Sequence, residues 1–230
     1  MRSLVLIPGL LCDHSLWNSQ IVGLSGSAEI LIADITEQRT VSEMAAAVVA
    51  KAPEHFSLAG FSLGSQVALE IMRTSSHRVD RLALLSATLG GLPPAVETAI
   101  HQAIATIQQG NFEQYLEAVY PSYVAPGRVQ DKMLKSCFIE MAHAVGMDAG
   151  LRQMRALLAI RRSFTNLNQI LCPTVVIGGR EDRRTTPAAH QALAQQIPGS
   201  ELEMVDDAGH FSPLEQPGVV TSLLQRWMTA

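Results

Sequence analysis

Four short apolar runs, at residues 4–7, 30–33, 55–59 and 82–85, are separated by stretches with helical spacing. Runs that are apolar on both faces belong in a parallel sheet covered by helices on both sides, because a sheet with one wet face would alternate apolar and polar side chains. Residues 14–24 supply the first helical pattern. Residues 43–51 supply the second, capped by Thr40 or Ser42 and closed ahead of Pro53, and residues 65–73 the third. The order strand-helix-strand-helix-strand-helix-strand predicts a parallel sheet joined by right-handed crossovers, an α/β architecture.

The alternation stops at about residue 89. From there to residue 167 the chain is rich in Ala, Gln, Met, Leu and Arg, with turn punctuation at Gly91-Leu92-Pro93-Pro94, Gly110-Asn111, Pro121, Pro126-Gly127 and Gly146. It holds no convincing strand and reads as several helices inserted together. Strand character returns at residues 173–178, a helix follows at 187–196, and residues 201–205 form the last strand. Pro217 opens a terminal amphipathic helix with Val219, Val220, Leu223, Leu224 and Trp227 at helical spacing. The expected fold is a mostly parallel sheet flanked by helices, with residues 1–88 and 168–230 as core and 89–167 as a helical cap. A chain of 230 residues, 47% apolar and 17% charged, is long and apolar enough to bury such a core.

Bulk properties exclude several classes. Lys and Arg number 17 against 21 Asp and Glu, a net charge of -4 with no block of like charge, so no nucleic-acid surface is expected. Cys12, Cys137 and Cys172 are odd in number and widely spaced, which suggests neither a disulfide framework nor a zinc site. The apolar stretch after Arg2 breaks at Pro8-Gly9, after about four residues, short of the roughly seven to fifteen of a signal peptide core. No segment reaches the roughly eighteen apolar residues of a membrane span. The expectation is a soluble, cytoplasmic protein with a small-molecule substrate and no metal or cofactor; no feature assigns an oligomeric state.

Between the third run and the helix after it stands Gly60-Phe61-Ser62-Leu63-Gly64. A G-x-S-x-G carries meaning when a strand feeds it and a helix leaves it. That turn is tight enough to force its central residue to positive φ, which lifts the hydroxyl clear of the backbone. Side chains at the two glycine positions would crowd helix against strand. A serine hydroxyl is a weak nucleophile at neutral pH, so the reading requires a base, an orienting carboxylate and donors for an oxyanion. Seven histidines compete for the base. His210, in Ala208-Gly209-His210-Phe211, follows the final strand at its carboxyl end, where open α/β sheets bind ligands. His77 and His190 stand on charged or helical surfaces and His55 precedes the elbow strand, so surface or satisfied-core roles suit these three; His14 lies near the first loop, and His101 and His143 lie in the inserted helices.

For the carboxylate, Glu181 and Asp182 both qualify within Gly178-Gly179-Arg180-Glu181-Asp182-Arg183-Arg184. The flanking arginines offer the plainer role of a solvated ion cluster. Asp206 and Asp207 are further alternatives, close in sequence to His210. The oxyanion donors should be the N–H of Leu63, after the serine, and that of Leu10 in the loop Pro8-Gly9-Leu10-Leu11 after the first strand.

Taken in order, these motifs resemble the α/β-hydrolase-fold serine hydrolases that carry a helical cap, carboxylesterases among them, from Leu4 to Trp227. Gly179-Arg180-Glu181-Asp182 with Pro187 resembles the family's acid segment, which moves Asp182 ahead of Glu181, and Gly209-His210-Phe211 with Glu215 and Pro217 resembles its histidine segment. Trp17 falls where such proteins often carry an aromatic residue. Two departures stand out: Pro8 replaces the usual His before Gly9, and Asp34-Ile35-Thr36-Glu37 runs into the next helix without the usual Gly-rich continuation, leaving that wall of the site more open. The family's early antiparallel hairpin is also not seen.

The resemblance implies hydrolysis of an apolar ester by Ser62, His210 and Asp182, with Leu11, Trp17, Phe138, Met141 and Phe211 lining the pocket. Met133, Met147, Leu151 and Met154 are further candidates for the cap's apolar wall. Other outcomes in the same fold are a lyase or C–C bond hydrolase, with Arg152, Arg155, Arg161 and Arg162 offered to substrate carboxylates, an acyltransferase, a cofactor-free haloperoxidase, and a ligand receptor. Dehalogenase and epoxide-hydrolase chemistry is disfavoured because those relatives carry Asp where this chain has Ser62.

Overall fold

Six strands, β1 (Arg2–Ile7), β2 (Ala28–Ile32), β3 (Phe56–Phe61), β4 (Val79–Leu85), β5 (Thr174–Gly179) and β6 (Glu201–Val205), form one sheet in the order β2-β1-β3-β4-β5-β6. All five pairings are parallel. The computed structural model describes residues 2–89, 91–160 and 166–229. Every residue of β3 and β5 is buried, whereas the edge strands β2 and β6 are half-exposed. Continuous apolar runs therefore mark the strands covered on both faces.

The crossover segments form in chain order. A single 3₁₀ turn over His14–Trp17 leads into α1 (Asn18–Leu24), and α2 (Val41–Lys51) and α3 (Leu63–Ser75) follow. Thr40 caps α2, its hydroxyl accepting the Glu43 N–H at 3.1 Å, while the Glu43 carboxylate reaches back to the Arg39 N–H at 2.8 Å. The buried face of α2, Val41, Met44, Ala45 and Val48, repeats at three and four residues, and each large side chain there contributes about 1.5–3 kcal/mol.

Between β4 and β5, α4 (Pro94–Gln108), α5 (Phe112–Val119), α6 (Lys132–Val145) and α7 (Met147–Leu158) leave the sheet and return to it. Asp131 caps α6 through the N–H groups of Met133 and Leu134, both at 3.1 Å, and Gly146 at φ 83° separates α6 from α7. The buried face of α6 is Leu134, Phe138, Met141 and Ala142. Met133, out of phase with that face, is 85% exposed, and Met147, at the first position of α7, is 41% exposed. Those two methionines therefore lie in solvent and not in an apolar wall.

After β5 come α8 (Pro187–Gln196), the short α9 (Ser212–Glu215) and α10 (Pro217–Thr229). Right-handed crossovers place α2, α3 and α8 on one face of the sheet, and α1, whose chain runs the other way, on the opposite face with α10. Among the described residues no helix is long and apolar enough to cross a membrane.

From β1 the chain passes to β2 on one side and then returns across β1 to β3 on the other. The connections leaving β1 and β3 therefore diverge at the carboxyl ends of those strands. Such a switch point leaves a crevice in an open α/β sheet.

Candidate active site

One residue, Ser62, separates the end of β3 from the start of α3. Its backbone sits at φ 53° and ψ -111°, a conformation that costs a residue with a Cβ about 1–3 kcal/mol. The N–H of Ser62 donates to the Leu85 carbonyl at 2.8 Å, and its own carbonyl accepts from Ser65 at 2.9 Å. The two glycines of the motif are set by close approach. A Cβ at Gly60 would lie 2.3 Å from the Gly64 carbonyl oxygen, and one at Gly64 would lie 2.3 Å from that of Ile7.

Beyond the carboxyl ends of β5 and β6, two loops bring Asp182 and His210 to this turn. His210 Nε2 lies 2.9 Å from Ser62 Oγ, and His210 Nδ1 lies 2.9 Å from Asp182 Oδ2. The other Asp182 oxygen accepts the Arg184 and Thr185 N–H groups, both at 2.8 Å. Both side chains are almost fully buried. Burial alone would push the Asp182 carboxyl up, but the adjacent His210 and the hydrogen bonds from His210, Thr185 and Arg184 outweigh it and hold it below its ordinary value. Ser86, at φ 49°, fixes the histidine from beneath by donating its hydroxyl to the His210 carbonyl at 2.8 Å.

The competing acids stand elsewhere. Asp206 and Asp207 are exposed, with Asp206 paired to Arg180, and Glu181 uses its backbone N–H on the Ala208 carbonyl. Arg184 lies 4.1 Å over the Tyr123 ring and donates to the Ser122 hydroxyl, and Arg183 donates to the Pro121 carbonyl, so two of the flanking arginines bind the segment between α5 and α6. Of the other histidines, His14, His55, His77, His101 and His143 are exposed. Of the surface and core roles open to it, His190 takes the core one. It is fully buried, its ring packed against Gly178 and its Nδ1 3.1 Å from the Thr186 carbonyl, and burial depresses its pKa to about 4.

In the loop after β1 the Cys12 N–H closes a turn onto the Gly9 carbonyl at 3.2 Å, with Leu11 at φ 56°. The Leu11 N–H is taken by Gln153 Oε1 of α7 at 3.0 Å. Among the described residues no protein acceptor meets the N–H of Leu10 or that of Leu63.

Trp17, Phe138 and Phe211 share one aromatic cluster. Trp17 meets Phe61 edge-on at 6.5 Å between centroids, Phe61 stacks on Phe211 at 5.7 Å, and Phe138 lies 5.7 Å from Phe211. Phe61 and Tyr123 join it, at 5.2 and 5.5 Å from the His210 ring, Tyr123 stacks on Phe211 at 4.8 Å, and Tyr120 lies 5.7 Å from Phe138. Leu11 and Met141 are buried in the same core.

Glu215 pins this roof to the loop that carries His210. Its two carboxyl oxygens accept the Gly209 N–H at 2.9 Å and the Ala125 N–H at 2.7 Å. Burial pushes its pKa up to about 7, against the opposing pull of those two bonds. Glu215 belongs to the histidine motif and could have been singled out from it; Gln153 and Tyr123 carry no such signal.

A cleft of about 260 Å³ opens at the carboxyl ends of β1 and β2, lined by Pro8, Cys12, Asp13, His14 and residues 32–36. It lies along the segment that follows β2, and Ser62 is not among its walls. Arg152 spends its guanidinium on the Thr36 carbonyl, at 2.9 and 3.0 Å, and Arg155 faces solvent. Arg161 and Arg162 lie outside the described residues. The three cysteines are free thiols, with that of Cys12 pushed up by burial, and the described residues hold no group of three or more His, Cys, Asp or Glu suited to a metal ion.

The model of the alpha/beta hydrolase family matches residues 4–223. A protein of Klebsiella pneumoniae that carries the name carbamate hydrolase RutD is 23% identical over 192 residues, 82% of this chain and 71% of its own length. The pimeloyl-[acyl-carrier protein] methyl ester esterase of Nitrosomonas europaea is 22% identical over 232 residues, 93% of this chain and 90% of its own. The solved structure of a thermophilic esterase from Thermogutta terrifontis superposes with a TM-score of 0.88 at 20% identity, covering 100% of this chain and 90% of that one.

Proposed function

Because this chain belongs to the alpha/beta hydrolase family, we propose that it is a serine hydrolase that cleaves a carboxylic ester through an acyl-enzyme. One observation carries the reading: Asp182, His210 and Ser62 stand in a line of two 2.9 Å hydrogen bonds, with the serine held at positive φ at the sheet's switch point.

In this reading Ser62 Oγ attacks the ester carbonyl carbon while His210 Nε2 takes the hydroxyl proton. The carbonyl π pair moves onto oxygen, and the oxyanion is received by the N–H groups of Leu63 and Leu10. Each such donor is worth about 2.7–4 kcal/mol in well-studied hydrolases. When the tetrahedral adduct collapses, the C–O bond to the alcohol breaks and His210 returns its proton to the leaving oxygen. A water molecule then repeats the sequence on the acyl-serine, giving the carboxylic acid and free Ser62. Asp182 receives two backbone N–H bonds on one oxygen, so its other oxygen faces the imidazole Nδ1–H, fixing the tautomer and stabilising the imidazolium. No cofactor enters these steps.

The helices between β4 and β5 act as the cap over this site, and the cluster of Trp17, Phe61, Tyr123, Phe138 and Phe211 favours an apolar substrate. Cap arginines would favour a carboxylate-bearing substrate of a lyase or C–C bond hydrolase, but Arg152 is engaged with the Thr36 carbonyl. The test is a p-nitrophenyl ester series from acetate to palmitate, run beside Ser62→Ala and alongside labelling by a fluorophosphonate. Wild type should label and turn over at least the short esters, and Ser62→Ala should do neither. Turnover and labelling that survive Ser62→Ala would reject the assignment, and wild type inert towards every ester would reject ester hydrolysis.

A further inference from the structure

We infer that Gln153 of α7 is a positioning residue for the oxyanion hole, so that the cap holds one of the two donors in register. The inference rests on the serine-hydrolase reading above. Three observations meet in the loop after β1.

The loop is a four-residue turn from Gly9 to Cys12, closed by the Cys12 N–H on the Gly9 carbonyl, and its third residue, Leu11, has φ 56°. A turn with positive φ at that position is of type II and ordinarily takes Gly there; a leucine would relax to negative φ if the central peptide flipped. The N–H of that central peptide is the Leu11 N–H, and Gln153 Oε1 holds it at 3.0 Å. The glutamine thus locks the peptide whose flip would release the strain.

The same contact selects the donor. With the Leu11 N–H engaged by Gln153 and the Cys12 N–H by the Gly9 carbonyl, the Leu10 N–H, at the first corner of the turn, is left to meet an oxyanion. A flipped central peptide would reshape the turn that aims it.

Gln153 is itself fixed. It is fully buried, and its Nε2 donates to the Ile35 carbonyl at 3.4 Å, tying the loop after β1 to the loop after β2. One residue earlier, Arg152 donates twice to the Thr36 carbonyl. Gly150, one turn before Gln153, lets α7 approach closely: a Cβ there would lie 2.6 Å from Leu11 Cδ2. Helix α7 is therefore seated on the turn by side-chain hydrogen bonds as well as by apolar packing.

Three substitutions separate positioning from packing. Gln153→Met keeps the length but has no oxygen, Gln153→Asn withdraws the amide by one methylene, and Gln153→Glu keeps an acceptor. For p-nitrophenyl acetate, Gln153→Met should lower kcat by about 10- to 100-fold, with KM within about twofold of wild type, since a displacement near 1 Å can cost that much. Affinity for an alkyl trifluoromethyl ketone, which forms the oxyanion, should fall in parallel. Gln153→Glu should stay within about fivefold of wild type, and Gln153→Asn serves in place of Gln153→Met should the latter fail to fold. The inference is overturned if kcat of Gln153→Met, or of Gln153→Asn in its place, is unchanged, or if KM, melting temperature and kcat decline together in all three variants. Ser62→Ala keeps the two readings apart: full activity in Gln153→Met beside a dead Ser62→Ala sinks only the positioning role, and an active Ser62→Ala sinks the serine-hydrolase reading.

Discussion

Replacing Ser62 by glycine should stabilise the protein relative to replacing it by alanine, reversing the usual order. Both substitutions remove the hydroxyl and its 2.9 Å bond to His210 Nε2, so that loss cancels between them. They differ in whether a Cβ is present at φ 53° and ψ -111°. A Cβ in a sparsely populated region costs about 1–3 kcal/mol. Glycine removes that cost but loses more backbone entropy on folding, by roughly 0.5–1 kcal/mol relative to alanine. The difference leaves Ser62→Gly ahead by about 1 kcal/mol, which in a chain of this length is about 2–4 °C in melting temperature. Thermal unfolding of the two variants, followed by circular dichroism at one pH and salt concentration, measures it. At an unstrained site the same Ala-to-Gly change would lower the melting temperature. A Ser62→Gly protein that melts at or below Ser62→Ala would mean that the elbow stores no strain, and the argument for a tensioned nucleophile would fail.

Other outcomes follow from neighbouring contacts. Asp182→Asn should lower kcat by about 10⁴-fold with little change in KM, because the Arg184 and Thr185 N–H groups demand the amide oxygen and turn the NH₂ towards His210 Nδ1, imposing the wrong tautomer; steady-state kinetics within tenfold of wild type would contradict this. Gly64→Ala should destabilise at or above the top of the roughly 1–3 kcal/mol range for overpacking, since its Cβ would press on the Ile7 carbonyl at 2.3 Å; a melting temperature like that of wild type would refute it. Glu215 has a pKa raised from 4.5 to about 7, so the folded chain keeps a proton that the unfolded chain releases. Its contribution to stability is complete below about pH 4.5 and is lost as pH rises through about 7, by up to about 3 kcal/mol. The melting temperature of wild type relative to Glu215→Gln should therefore decline across that window, and parallel curves for the two proteins would contradict the linkage.

The inner strands were legible because parallel strands covered on both faces must be apolar without a break; β3 and β5 were found on that ground and differ from the reading only by a residue or two at their ends. Ser62, Asp182 and His210 were legible because each sits in a contiguous motif whose turn geometry restricts the residues around it. What the sequence did not disclose depends on partners far along the chain. Gln153 meets Leu11 across 142 positions, and a single amide in a helix of Leu, Met, Ala and Arg has no periodic signature. Tyr123, which stacks on Phe211, lies in an irregular segment between helices, where spacing says nothing about burial. The methionines were misread in part because composition was weighed ahead of position on the helix: Met141 faces the interior, whereas Met133, in the first turn of the same helix, lies outside its buried face. Between a surface and a core place for His190 the sequence could not choose, since α8 carries a single large apolar residue, Leu193, and buries His190 beside it against β5.

The separation of 148 positions between Ser62 and His210 also bears on how the protein is made. At about 5–20 residues per second, synthesis of that interval takes on the order of ten seconds. During that time β3 and the turn after it can already have left the ribosome, while the strands that lead to Asp182 and His210 have not been translated. Throughout that interval Ser62 is an ordinary alcohol with no partner to remove its proton. The hydroxyl meets the His210 ring only after β5 and β6 have been added to the edge of β4, so a prematurely terminated chain would leave Ser62 without that partner.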